Sequence, residues 1–203
     1  MSYDIYLKDR VSGETIELPI KHLMTGGMYK ADYDPVTQTF SPAVTSEAWL
    51  NITYNYANYY YEATDGDPRF AHDEISRVYS DGTIGPVETE YGIRGIYGKS
   101  GAESIQMLKD MIQRIKDKYA PDGEWITTKR KKTRMIDPDG NEYSDPVYAI
   151  MHGLPRTSEE YEIDVCEAPN EDYWEPTAGN AIKPLYKLIA IAELRPDGVW
   201  DGD

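Results

Sequence analysis

The ten residues Gly92 to Gly101, reading GIRGIYGKSG, make the closest approach in this chain to a phosphate-binding motif, because Gly98-Lys99-Ser100 supplies a GKS step directly before a predicted helix. In the G-x-x-x-x-G-K-[ST] loop of nucleotide triphosphatases, the first glycine lets the backbone wrap the phosphates. Here that position is Ile93, and no convincing buried strand precedes it. What survives is a more general anion site, in which helix-terminal amides act with Lys99 and Arg94 on a phosphate or carboxylate. The alternative is a glycine-rich helix start capped by Ser100.

A second group is the stretch Thr45 to Ala63, TSEAWLNITYNYANYYYEA, with five tyrosines among the eight positions Tyr54 to Tyr61. Thr45 fits an N-cap, and Val44 with Trp49 fits a hydrophobic staple, so a helix is expected to start there. On helical spacing Asn51, Asn55, Asn58 and Glu62 form a polar stripe beside an aromatic one of Trp49, Ile52, Tyr56, Tyr59 and Tyr60. Amides beside phenols can recognise a ligand, and they can equally close a polar core. The candidate contact residues are Asn51, Tyr54, Asn55, Asn58 and Tyr61, with Arg94, Lys99 and Ser100 from the GKSG turn.

Other clusters have plainer readings. Lys129 to Arg134 (KRKKTR) carries five of the 21 basic residues. Nuclear targeting or phosphate binding is one reading, but Glu160, Glu162 and Asp164 alternate with Tyr161, Ile163 and Val165 and suit a cross-strand partner for it. Asp137-Pro138-Asp139-Gly140-Asn141 begins like a calcium loop, yet its twelfth position is Tyr148 rather than glutamate, so a hairpin turn is expected. Cys166 sits in an acidic stretch with no histidine near it, which disfavours a nucleophilic thiolate. His22, His72 and His152 are too dispersed for a zinc site, and no metal or cofactor is expected. Asp197, Asp201 and Asp203 lie in a tail read as exposed, with Trp200 packed back.

These groups need a scaffold. Residues 3 to 8 alternate, DRVSG turns and ETIEL alternates again, which predicts an opening β-hairpin. An extended piece around Met28 to Tyr33 is a possible addition to it, and DPVTQ reads as a turn. Residues 64 to 90 read as a loop-rich excursion with a small hairpin through ISRVYSDGTIG. The second helix is expected over Ala102 to Tyr119, with Ser100 and Glu103 as a capping box. Residues 124 to 168 read as β-rich, and a third helix spans roughly Ala181 to Leu194. Its start is open between Thr177 as cap, with Pro184 inside, and a start at Lys183. The expected architecture is a single α+β domain: an N-terminal antiparallel hairpin or sheet packed by three helices, with a β-rich insertion between helices two and three. The compact unit would comprise residues 1–61, 91–120 and 170–203, and the insertions 62–90 and 121–169.

Composition narrows the function. The chain has 203 residues, 40% hydrophobic, and a formal charge of −15 from 36 acidic against 21 basic residues. Such charge repels nucleic acid and anionic membranes and attracts basic partners. A single cysteine excludes an intrachain disulfide, and no apolar leader or membrane-spanning run is apparent, so a cytoplasmic location, in a bacterium or a phage-infected host cell, is expected.

The blocks EAWLNITYNYA, GIRGIYGKSGAESI, DYWEPTAGNA and LRPDGVWDGD resemble an uncharacterised family of small acidic proteins encoded by bacteria and their phages. The resemblance covers about a quarter of the chain. It implies the compact α+β unit and transfers no catalytic residues; the β-rich insertion is not part of it. The leading expectation is a non-catalytic binding protein acting through its acidic surface on a host or bacterial protein with a basic surface, for instance in a defence or nucleic-acid machine. A second expectation is a binder of small phosphorylated, nucleotide-like ligands using the Tyr/Asn helix and the GKSG turn. A third is a hydrolase built on clustered carboxylates.

Overall fold

Tyr3, Ile5 and Leu7 alternate with polar residues along strand β1 (Ser2–Lys8), and all three are fully buried. The computed structural model describes residues 2–23, 32–41, 44–78, 82–121, 127–136, 142–143 and 157–203. After β1 the chain reverses through Asp9, whose carboxylate accepts the amides of Val11 and Ser12 at 2.9 Å. The expected hairpin forms briefly, with Asp9 N–H on the Glu14 carbonyl, Ile16 N–H on the Leu7 carbonyl and Lys8 bridged to Thr15. Strand β2 (Glu17–Leu23) then diverges. A second hairpin joins β3 (Asp32–Asp34) to β4 (Thr39–Ser41) across the predicted DPVTQ turn. Residues 28–31 of the expected additional strand lie outside the described residues.

The helix expected from Thr45 is not formed there. Val44–Glu47 is strand β5, paired with β2, and Trp49–Thr53 is strand β6, buried at all five positions. β6 lies antiparallel to β1, with Tyr3 opposite Ile52 and Ile5 opposite Leu50. The apolar residues of WLNIT fit helical and extended periods alike, and long-range pairing decides between them. The helix begins later: Thr53 caps a 3-10 turn at Tyr54–Tyr56, and α1 is Ala57–Thr64.

The predicted excursion contains β7 (Ala71–Val78) and β8 (Ile84–Tyr91), an antiparallel hairpin. Helix α2 (Gly101–Tyr119) carries the full capping box: Ser100 Oγ accepts Glu103 N–H and the Glu103 carboxylate accepts Ser100 N–H at 2.8 Å. Replacing Ser100 with alanine removes that acceptor and is expected to cost about 1 kcal/mol, read as a lower urea midpoint.

The β-rich insertion forms between α2 and the last helix. Strand β9 (Thr127–Ile136) pairs with β10 (Glu142–Tyr143) on one side and along its whole length with β11 (Thr157–Cys166) on the other. The register sets Asp164 opposite Lys129 and Glu162 opposite Lys131, and Lys129 Nζ lies 3.0 Å from Asp164. The charge alternation in the two segments therefore specifies the pairing expected of it. The Asp137–Asn141 turn lies outside the described residues.

Helix α3 is Ala178–Leu194, capped by Thr177 with Pro184 inside, so the earlier of the two possible starts is the real one. It packs against α2. The chain finishes as β12 (Val199–Gly202), which completes the sheet in the order β12-β1-β6. The tail is thus an edge strand rather than an exposed appendage, and Trp200 is buried with its indole N–H on Ser104 Oγ at 2.7 Å. β1 has both edges occupied by β6 and β12, which is why β2 pairs elsewhere. The architecture is α+β, as the sequence pattern predicts.

Candidate functional site

The tyrosines of α1 first serve to attach the helix. Tyr60 Oη donates to the Ala181 carbonyl at 2.9 Å and Tyr56 Oη to the Tyr173 carbonyl. Tyr59 Oη donates to the Glu167 carboxylate at 2.6 Å. A buried hydroxyl without a partner costs about 1–3 kcal/mol, so these phenols specify where α1 sits as well as filling volume. Glu167 is itself fully buried and accepts four donors: Tyr59, Thr128 at 2.5 Å, Arg130 at 2.8 Å and the Ala178 amide at 2.8 Å. Thr128 and Arg130 come from β9, so this one carboxylate ties the insertion, α1 and the start of α3 together. Burial raises its pKa, but the four hydrogen bonds and the Arg130 charge outweigh burial and hold it below the ordinary glutamate value.

The three asparagines do not share a stripe, because β6 and the 3-10 turn intervene. Asn51 is buried on β6, and its amide donates to Ser2 Oγ at 2.9 Å and Asp4 Oδ1 at 2.7 Å. Asn55 donates to the Trp174 carbonyl at 2.8 Å. Both are engaged in holding the chain. Asn58 is exposed on α1 beside β9.

Tyr54, Tyr61 and Arg94 do meet. Tyr3 and Tyr54 stack with centroids 4.3 Å apart, and Tyr61 Oη lies 3.4 Å from both phenols. The Arg94 guanidinium lies over the rings of Tyr3 and Tyr54 at 5.5 and 5.8 Å, and its Nε donates to the Asp203 carbonyl. Burial pushes the Tyr3 and Tyr61 phenols up, so they are neutral donors and acceptors rather than bases. Lys99 is exposed and shares a cavity of about 480 Å³ with Arg94, His72, Asp73, Tyr97 and Asp203. None of the asparagines, nor Tyr54 or Tyr61, lines it.

The helix-terminal anion site fails on its donors. Gly101 N–H is bonded to the Gly198 carbonyl, Ala102 N–H to the Pro196 carbonyl, Glu103 N–H to Ser100 Oγ and Ser104 N–H to the Ser100 carbonyl. The four amides an anion would use are therefore consumed, and the Glu103 carboxylate occupies Ser100. This occupancy depends on the return of residues 196–198 to the start of α2, which no local pattern announces.

Three concavities border α1, and sequence reasoning named none of them; one of about 550 Å³ lies between Tyr59, Glu62 and Asp67 and the α2 residues Arg114 and Lys118. On one side Tyr61, Glu62 and Asp65 face Ile75 of β7 and the run Glu88-Thr89-Glu90-Tyr91 of β8 across a groove of about 380 Å³. Tyr61 is 38% exposed there, and the hairpin above it leaves Val78, Ile84 and Val87 exposed. Glu90 lies 3.8 Å from His72 Nε2. In another, Asn58, Glu62, Lys118 and Tyr119 face Thr128 to Lys131 of β9 across about 400 Å³. Glu62 lines all three; Lys118 Nζ at 2.7 Å and Tyr119 Oη hold it. The available signals were the alternation of ETEY in the groove against β8 and the KRKKTR run in that against β9.

Comparison with protein-family models, curated proteins and solved structures found no match for this chain. The class the structure defines is therefore architectural, an α+β protein with grooves bordering helix α1. Among the described residues no helix is long and apolar enough to cross a membrane.

Proposed function

We propose that this is a non-catalytic binding protein of phage or bacterial accessory type that occupies a partner presenting a basic surface. The observation that carries the reading is the groove between α1 and the β7–β8 hairpin, where Tyr61 and Tyr91 stand among the carboxylates of Glu62, Asp65, Glu88 and Glu90. A lysine or arginine suits such a lining, because its aliphatic stem packs on aromatic rings while its charged head meets carboxylates. The formal charge of −15 adds long-range attraction and speeds encounter with a cationic surface. The exposed Val78, Ile84 and Val87 supply apolar area on the same hairpin. Inhibition of a host defence or nucleic-acid machine is the role that fits this chemistry.

The test is affinity capture from host lysate by the wild-type protein and by a Tyr61→Ala, Asp65→Asn, Glu90→Gln variant. One basic protein should be retained by the wild type, released by moderate salt and lost with the variant. Equal capture by both proteins would place the interface elsewhere and sink the reading.

A further inference from the structure

The β7–β8 hairpin carries its polarity in reverse. Its register sets Glu74 opposite Thr89, Ser76 opposite Val87 and Val78 opposite Ile84, so these side chains share one face, while Ile75 with Glu88 and Asp73 with Glu90 share the other. A two-stranded ribbon on a protein body ordinarily turns its apolar face inward and its polar face to water. Here the charged face looks into the groove beside α1, which Ile75, Glu88 and Glu90 line. Val78, Ile84 and Val87 on the reverse face are 72, 73 and 64% exposed. Among the described residues neither strand belongs to a larger sheet, although each is eight residues long. A lone ribbon of this kind is marginal in water, and an open edge beside an exposed apolar face is a template for a further strand.

The edge that is open is that of β8. Its four consecutive residues Glu88 to Tyr91 line the groove with Tyr61, Glu62 and Asp65. Successive side chains of a strand point to opposite faces, so a cavity touched by four in a row runs along the strand's edge. The residues at and after α1 form the far wall, and the Tyr61 ring closes one end, where a Cβ on Gly92 would meet it at 2.9 Å. At the other end Pro86 has no N–H to give. The stretch available for pairing is therefore Val87 to Glu90.

Charge selects the occupant. A second copy of β8 would lay glutamates against glutamates, which destabilises cross-strand pairs. No lysine or arginine lines the groove. The Asp65 carboxylate has no partner among the described residues, and that of Glu90 stands 3.8 Å from His72, beyond hydrogen-bond reach.

We propose that β8 accepts a third strand from a partner, an extended segment in which lysine or arginine alternates with apolar residues. Main-chain hydrogen bonds to Val87–Glu90 hold it; its basic side chains reach Asp65, Glu90 and the Tyr61 ring, and its apolar ones extend the face of Val78, Ile84 and Val87. This rests on the acidic groove being the contact surface for a basic partner, and adds the form that the partner's segment takes.

The probe is an acetylated and amidated hexapeptide that alternates lysine and valine; the control has the same composition as three lysines followed by three valines. Each is titrated at low ionic strength, up to millimolar concentration, into the isotope-labelled full-length protein and followed by amide shifts and hydrogen exchange. The alternating peptide should bind roughly fivefold tighter or more, and the β8 amides that point away from β7 should exchange more slowly in its presence. In Asp65→Asn/Glu90→Gln its affinity should fall roughly fivefold to tenfold, for two lost charge contacts, with melting unchanged. Equal affinity for the two peptides would overturn strand addition; if the variant then lost both equally, the groove would still stand as a site for basic segments. Unslowed exchange over Val87–Glu90 in the bound state, or no binding of either peptide, would overturn it too, and the reading of the groove would answer to its own capture test.

Discussion

Replacing Glu167 with alanine is expected to lower the unfolding free energy by about 3 kcal/mol, at the lower end of the range for removing one partner of a buried ion pair. The side chain is fully buried and its loss strands the Thr128 hydroxyl and the Ala178 amide, while Tyr59 Oη keeps the Pro176 carbonyl at 2.8 Å. Arg130 keeps 26% exposure and can draw in water, which is why the lower end applies. Since folded proteins are stable by only about 5–15 kcal/mol, such a change is readily measured by urea unfolding. It is also local. Thr128 and Arg130 hold β9 through this carboxylate, so limited trypsinolysis of the alanine variant should cut within Lys129–Arg134 faster than in the wild type, and before global unfolding. Equal cleavage rates would mean that the insertion is held by other contacts.

The same carboxylate makes a prediction about pH. Its pKa is lower in the folded protein than in the unfolded chain. A group of this kind stabilises the fold at pH above its unfolded value, roughly 4.3 for glutamate, and that contribution is lost as pH falls through the folded value. Unfolding free energy should therefore decline on acidification below about pH 4, and Glu167→Gln, which cannot titrate there, should show a shallower decline. Other carboxylates contribute to the slope, so the difference between the two proteins is the quantity to read.

The second large effect is expected at Trp200. Trp200→Ala should cost about 3–5 kcal/mol, the usual range for deleting a buried aromatic side chain. The indole is 1% exposed, donates to Ser104 of α2 and sits on an edge strand opposite Leu7. Its backbone is engaged as well, with Trp200 N–H on the Lys99 carbonyl and Gly98 N–H on the Trp200 carbonyl. Trp200→Phe should cost less than the alanine change, because it keeps most of the apolar volume and loses part of the indole with its hydrogen bond. An alanine variant as stable as the wild type in urea would show that the final residues are an appendage and that β12 contributes nothing to the sheet.

These two sites show why the chain was only partly legible. KRKKTR and EEYEIDVCE were readable as partners because opposite charges at alternate positions make one antiparallel register favourable over its neighbours. The carboxylate that anchors their hairpin, Glu167, was not, because its donors come from positions 59, 128, 130 and 178. Trp200 packs inward as its type predicts, yet the strand around it has no sequence signature, since VWDG is too short to declare itself and becomes a strand only because β1 offers an edge. The TSEAWLNITYNY segment has a helical pattern for a related reason. Its apolar residues fit both periods, and the edge of β1 opposite β12 draws Trp49–Thr53 into the sheet.

By itself the sequence determined what depends on neighbours a few residues apart. The start and end of α2 follow from the capping box and its periodic Ile and Leu positions, the β7–β8 and β3–β4 hairpins from their turn residues, and the α+β class from the succession of these segments. Tertiary structure decided what depends on groups distant in the chain. It placed Asn51 and Asn55 in the service of the fold, spent the α2 amides on residues 196 and 198, and gathered the carboxylates of Glu62, Asp65, Glu88 and Glu90 about one groove beside α1. The physical reason is common to all three. A hydrogen-bonding group is available to a ligand only if no other part of the chain has reached it first, and that competition is settled when the elements pack.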